Sequence, residues 1–298
     1  MRFVPHLILL HAPTVYDFRK YPLMFGPIAD GVPSTPLFEM YPIGFFSIVE
    51  HLERHGVGVR IINLAVRMLS SDGFDVEKMI RRLKPKAFGI DLHWLAHAQG
   101  SLEVAKLCKK YHPGIPVIFG GLSATYFHEE LIRYPEVDFI IRGDSAEESL
   151  LQLMQAIIHH AYATISTLPN LVWKDSSGEV HVNPLTNVPT ELNEFSNNYV
   201  PVFKSALKYR DVRSLSPWKG WSSHEWVDYP ITPVITCRGC IHNCTFCGGS
   251  RNALVLYCNR KTPAFRDPHL IADDIIKITR YTKAVSYTHL TLPTNREV

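Results

Sequence analysis

His6-Leu7-Ile8-Leu9-Leu10-His11-Ala12 is an apolar run closed by Pro13. Its length, its lack of alternation and the proline that ends it predict a buried strand. A buried strand needs helices on both sides of its sheet, so extended and helical patterns should alternate downstream. They do. Residues 45–55 are an amphipathic helical pattern, opened by Tyr41-Pro42-Ile43-Gly44 and stopped by Gly56, and residues 57–64 (VGVRIINL) read as a second strand. Residues 76–83 are helical up to the Lys84-Pro85 break, 87–92 extended, 102–111 helical, and 116–119 extended as far as Gly120-Gly121. A helix near 125–133, a strand over 137–141 and a helix over 147–158 complete the series.

Five strands alternating with helices imply a parallel, doubly wound α/β sheet of the Rossmann-like kind, because right-handed crossovers cover both faces. Ligands of such sheets bind at the carboxyl ends of the strands. Neither G-x-G-x-x-G nor G-x4-G-K-[ST] occurs, so the dinucleotide and P-loop fingerprints are absent. Gly120-Gly121 has two readings of equal weight. It is either a plain tight turn, or a side-chain-free spot where a flat ligand approaches backbone.

Residues 168–174 and 179–183 flank Asp175-Ser176-Ser177-Gly178, a hairpin signal. From 184 to 229 the chain is rich in Pro, Ser, Asn and Trp and reads as a connector, with Trp218, Trp221 and Trp226 as aromatic anchors. Ser205-Ala206-Leu207-Lys208 matches an acyl-enzyme S-x-x-K pattern without its companion motifs and is assigned to helix surface. Residues 231–236 (ITPVIT) then predict a strand, and Cys240, Cys244 and Cys247 follow it at spacings of x3 and x2. Three thiolates on one short loop can hold three irons of a 4Fe–4S cluster and leave the fourth open to a small molecule. Cys237 extends the run to C-x2-C-x3-C-x2-C, which also suggests tetrahedral zinc. Zinc sites, however, separate their ligand pairs by roughly a dozen residues or more, so Cys237 is expected not to be a ligand.

The formal charge of +3 and the lack of a Lys/Arg block argue against nucleic acid, and no stretch approaches the ~18 apolar residues of a membrane span. Four of six cysteines lie between Cys237 and Cys247, with Cys108 and Cys258 alone; that suits a metal site in a reducing cytoplasm, not a disulfide framework.

The C-x3-C-x2-C loop after a strand resembles the signature of the radical S-adenosylmethionine superfamily. The resemblance implies a partial (β/α) barrel, a 4Fe–4S cluster on Cys240, Cys244 and Cys247, S-adenosylmethionine on the open iron, Phe246 near its adenine, and an electron donor such as flavodoxin or ferredoxin. Cleavage of the sulfonium to a 5′-deoxyadenosyl radical follows in that family. With the cysteine loop beside it, the N-terminal region resembles the cobalamin-binding domain that precedes many such cores. Matching positions are Gly120-Gly121-Leu122-Ser123 after the fourth strand and Arg142-Gly143-Asp144-Ser145-Ala146-Glu147 after the fifth. Gly120, Gly121, Leu122, Ser123 and Gly143 are therefore the expected cobalamin contacts, with methyl transfer as a corollary. The D-x-H-x-x-G motif whose histidine ligates cobalt is missing. Its place reads Ala12-Pro13-Thr14-Val15, and Asp91-Leu92-His93 follows the third strand and lacks the glycine. His93 is then a pocket wall or simply a polar strand end. The alternative from another class is a non-catalytic metal- or cobalamin-binding module with a structural cysteine site.

The expected domains are a cobalamin-binding-like unit over 1–160, a hairpin and connector over 161–228, and the first part of a radical enzyme core over 229–284. There Asp267-Pro268 opens a helix over 269–281. Residues 285–298 resemble the translation of a sequencing adapter, so the natural chain is expected to continue past Ala284 and the fragment to be inactive.

Overall fold

The computed structural model describes residues 4–20, 43–71, 73–196, 198–211 and 234–281. Trp218, Trp221, Trp226 and the adapter-like tail lie outside the described residues.

Strand β1 (Leu7–His11) is buried along its whole length and pairs in parallel with β2 (Val59–Asn63) on one side and β3 (Ala87–Asp91) on the other. Its four apolar side chains are at most 3% exposed, and each contributes about 1.5–3 kcal/mol by leaving water. Beyond β3 come β4 (Val117–Gly120) and β5 (Phe139–Ile141), also parallel, giving the order β2-β1-β3-β4-β5. The sheet does not stop there. The hairpin β6 (Leu171–Lys174) and β7 (Val180–Val182), expected in the connector, adds two antiparallel strands to β5 and makes seven.

Two cores follow from the alternation of side chains across the sheet. Leu7, Leu9, Ile61 and Ile118 face α1 (Ile43–Arg54) and α7 (Glu147–Ile158). Ile8, Leu10, Phe88 and Phe119 face α3 (Val76–Arg81) and α4 (Ala98–Tyr111). The helix expected near 125–133 is two short ones, α5 (Leu122–Tyr126) and α6 (His128–Leu131), meeting at Phe127. Helix α2 (Leu64–Ser70), which the sequence pattern does not announce, follows β2 without a loop; Asn63 caps it, its Oδ1 accepting from the Val66 amide at 2.9 Å.

Helix α8 (Val200–Lys208) lies within the expected connector. Ser205 is not on its surface: it is buried, and its hydroxyl donates to the Val59 carbonyl at 3.1 Å. The strand expected over 231–236 is displaced. Residues 234–236 are not extended into a ladder, 231–233 lie outside the described residues, and β8 is Cys237–Arg238, paired antiparallel with β9 (Ala264–Phe265). Between them runs α9 (Arg251–Cys258), capped by Ser250. Then α10 (Pro268–Tyr281) begins at Asp267, whose Oδ1 accepts from the His269 amide at 2.8 Å.

Helix α4 begins four residues before its expected start, and Gly100 in its first turn is the reason it can. The Gly100 amide donates to the Thr14 carbonyl at 3.3 Å, and a Cβ there would lie 1.8 Å from the Pro13 carbonyl oxygen. In an ordinary helix Gly→Ala stabilises by up to about 1 kcal/mol. At Gly100 the sign should reverse, with Gly100→Ala costing about 1–3 kcal/mol by overpacking. Gly44, whose Cβ would meet nothing within 4 Å, is the control, and Gly44→Ala should not destabilise. Urea denaturation of the two variants measures both.

Candidate functional site

The carboxyl ends of β1, β3, β4 and β5 open into a cavity of about 400 Å³. Its floor is the cross-strand row Leu9, Gly89 and Ile118, with the Leu9 side chain lying over Gly89. Phe45 and Ile48 of α1 and Leu150 of α7 wall one side, and residues 234–238 cross over it. This places the cavity at the β1/β3 switch point of a 2-1-3-4-5 sheet, where ligands of such folds bind.

Gly120, Gly121, Leu122 and Gly143 all line this cavity, so four of the five expected cobalamin contacts are brought together. The two glycines of the first turn have different reasons to be glycine. A Cβ at Gly120 would meet nothing within 4 Å, so its bareness keeps the cavity open. Gly121 has φ +110°, and a Cβ there would sit 2.8 Å from the Leu92 carbonyl, so it is required by chain crossing. The tight-turn reading thus applies at Gly121, while Gly120 leaves open space on the cavity side. Ser123 is not on the cavity wall: it is buried, and its hydroxyl donates to the His93 carbonyl at 3.0 Å, tying the β3 and β4 ends together. Gly143, at φ +98°, donates its amide to Thr125 Oγ1 at 3.0 Å. His93 does line the cavity, and burial holds its imidazole below the ordinary histidine range, favouring the neutral ring. His11, at the end of β1, is directed elsewhere, with Nδ1 at 3.0 Å from the Asp91 carboxylate.

Cys240, Cys244 and Cys247 lie on the loop after β8; the first is half-buried and the other two exposed. The Cys247 amide donates to the Cys244 carbonyl at 3.2 Å, the Arg251 amide to the His242 carbonyl at 2.8 Å, and the Asn252 amide to Asn243 Oδ1 at 3.0 Å. These bonds shape the loop without using a thiol as donor. Phe246 is 91% exposed and lines no part of the cavity, whereas Cys237, expected to be uninvolved, does. Cys108 and Cys258 are buried in apolar surroundings, which pushes their thiols up, Cys258 to about 12; they stay protonated and inert.

Three thiols on one loop, two of them exposed, are a donor set of the kind that could hold three irons of an iron–sulfur cube. Among the described residues, the one group with single-ion spacing is Asp175, Glu179 and His181 on the β6–β7 hairpin. There Asp175 Oδ1 already accepts from the Ser177 and Glu179 amides as a turn cap.

The feature that sequence reasoning missed is how the cysteine segment is held. Arg238 spans to Glu147, its Nη1 donating to Oε2 at 2.9 Å and its Nη2 to Oε1. Ser47 donates to the same carboxylate at 2.7 Å. Burial opposes charge on Glu147, yet the Arg238 guanidinium and the hydrogen bonds hold its carboxyl below the usual range. Arg260 makes a second such fork on Asp144, with Nη2 to Oδ1 at 3.0 Å, and its Nη1 donates to the Pro189 carbonyl at 3.0 Å. Tyr126 at the end of α5 donates to the Gly248 carbonyl, and its ring packs on Tyr257 with centroids 4.4 Å apart. Acidic residues after β5 and arginines flanking the cysteines are visible in the sequence, but nothing local pairs them.

Residues 31–151 match the B12 binding domain family. The chain is 22% identical over 253 residues to cytidylyl-2-hydroxyethylphosphonate methyltransferase of Streptomyces wedmorensis, covering 72% of this chain and 46% of that protein. It is 23% identical over 235 residues to hopanoid C-3 methylase of Methylococcus capsulatus, covering 78% of this chain and 39% of that protein. It therefore spans less than half the length of these curated relatives. Among solved structures, the cobalamin-dependent S-adenosylmethionine radical enzyme OxsB with aqua-cobalamin and S-adenosylmethionine bound superposes at TM-score 0.61 and 15% identity, over 93% of this chain and 32% of that one. The radical S-adenosylmethionine methyltransferase TsrM from Kitasatospora setae, with cobalamin and a [4Fe-4S] cluster bound, does so at 0.57 and 15%, over 93% and 46%. The sheet order 2-1-3-4-5 and the match over residues 31–151 agree on a B12-binding type of domain in this part of the chain, and the chain shares the fold of cobalamin-dependent radical SAM enzymes.

Proposed function

We propose that this chain is part of a radical S-adenosylmethionine enzyme of the methyl-transferring class, with cobalamin at the carboxyl end of its sheet. Cys240, Cys244 and Cys247 hold a 4Fe–4S cluster whose fourth iron takes S-adenosylmethionine. The observation that carries this reading is the placement of three accessible thiols on a loop that begins at the wall of the glycine-framed cavity. The methyltransferase and methylase relatives support the same class.

When bound, the cluster supplies an electron for cleaving the sulfonium, and cobalamin supplies a metal centre able to carry a methyl group. The chain's residues supply the setting. Gly120 leaves its part of the cavity bare, and Phe45, Ile48 and Leu150 give an apolar wall that excludes water. A cavity of about 400 Å³ would admit part of a corrinoid rather than the whole, and Leu122 and Gly143 would be among the residues that hold it. Neutral His93 offers a hydrogen-bonding edge without charge. Phe246, exposed beside Cys247, offers an aromatic face for the adenine of S-adenosylmethionine. An electron donor such as flavodoxin or ferredoxin reaches the exposed loop, in a cytoplasm that keeps the thiols reduced. Among the described residues no helix is long and apolar enough to cross a membrane. Substrate contacts and turnover belong to the whole protein, and the 298-residue chain should load cofactors without turning over.

Anaerobic reconstitution should yield about four irons per chain with visible charge-transfer absorption. Cys240→Ala, Cys244→Ala and Cys247→Ala should each lose most of that iron, and Cys237→Ala should keep it. A colourless protein carrying one zinc and no iron would replace this reading with a structural metal site. Separately, Gly120→Val should weaken cobalamin binding on the order of tenfold while leaving the iron content unchanged, as read by equilibrium dialysis and iron analysis.

A further inference from the structure

The five residues 143–147 do two things at once. Gly143, Asp144, Ala146 and Glu147 line the cavity, and Asp144 and Glu147 receive Arg260 and Arg238 from the segment that carries the cysteines. Both carboxylates are reached in a forked manner, which fixes direction as well as distance. Between the two forks stands Ser145, 1% exposed, whose Oγ accepts from Arg238 Nη1 at 3.0 Å and from Arg260 Nη2 at 3.3 Å. Arg238 is two residues before Cys240. Gly239 between them has φ +110°, and a Cβ on it would sit 2.7 Å from Pro263 Cα, so the chain has no slack there. A shift of the 143–147 turn must therefore move the start of the cysteine loop.

We propose that Arg238 and Arg260 are positioning residues: gripping Glu147, Asp144 and Ser145, they hold the cysteine loop at the cavity mouth and transmit occupancy of the cavity to the metal site. This rests on the proposed cofactors and adds the residues that couple them. Arg→Lys keeps the charge but removes the fork, so Arg238→Lys and Arg260→Lys separate geometry from charge. Ser145→Ala removes the shared acceptor without stranding a charge, and it carries the same test should either arginine variant fail to fold.

The test follows iron loss to a ferrous chelator from the anaerobically reconstituted 298-residue chain, with and without hydroxocobalamin, alongside the circular dichroism and melting temperature of each variant. In the wild type, cobalamin should slow iron loss by about fivefold or more. In Arg238→Lys, Arg260→Lys or Ser145→Ala, loaded with both groups, that protection should shrink below about twofold. A purely structural role would lower the melting temperature and leave the protection intact, and that result overturns the proposal. So does a wild type that holds both groups without any protection. A wild type that takes up no iron or no cobalamin overturns the cofactor assignment itself, and this coupling with it.

Discussion

Two buried arginine–carboxylate forks hold the second half of this chain on the first. Glu147 is 1% exposed and Arg260 2% exposed, and neither charge is tolerable there without its partner. Removing one member of such a pair costs about 3–5 kcal/mol, because the other is left charged in a dry site. The partners are separated by 91 and 116 residues, so their meeting defines the tertiary arrangement. Everything near the site inherits its position from them. The strap 234–238 crosses the cavity, β8 starts on its wall, and the cysteine loop leaves from that point.

The sheet prepares the other partner of that contact. With β1 between β2 and β3 and chain order reversing between β1 and β3, the connections leave in opposite directions and a crevice opens at the strand ends. Glycine at position 89 lets the Leu9 side chain fold over the floor of that crevice, where a Cβ would come 2.7 Å from Leu9 Cδ2. The antiparallel hairpin widens the sheet past β5. Asn170, just before β6, braces the turn beyond it, its Oδ1 accepting from the amides of Thr186 and Asn187 at 2.9 and 3.0 Å. The turn that meets the arginines is thus backed by seven strands rather than five.

Most of the wound sheet was legible because a buried parallel strand announces itself as an uninterrupted apolar run bounded by breakers. Residues 6–12, 57–64, 87–92 and 116–119 all qualify. What escaped was local and has local causes. Helix α2 follows β2 with no loop, so an apolar run continuous across Asn63 hid the change of period; the asparagine cap was the available signal. Helix α4 starts at Ala98 rather than at the expected 102, and the bareness of Gly100 in its first turn lets the loop after β1 lie against it. Of the strand expected over 231–236, residues 234–236 lie ahead of a ladder that begins only at Cys237, because its pairing partner is the short β9 near the far end of the cysteine segment.

The amino-acid sequence by itself determined the kind of sheet, the position of the glycine turns and the presence of three closely spaced thiols, because each depends on residues within a few places of one another. Only the tertiary structure decided that Gly120 serves the cavity and Gly121 the chain crossing, that Ser123 supports the turn, and that Cys237 reaches the cavity wall. It also decided that Asp144 and Glu147 belong to Arg260 and Arg238. Those assignments rest on contacts across tens of residues, where complementary charge and shape select one pairing among many that the linear order permits equally.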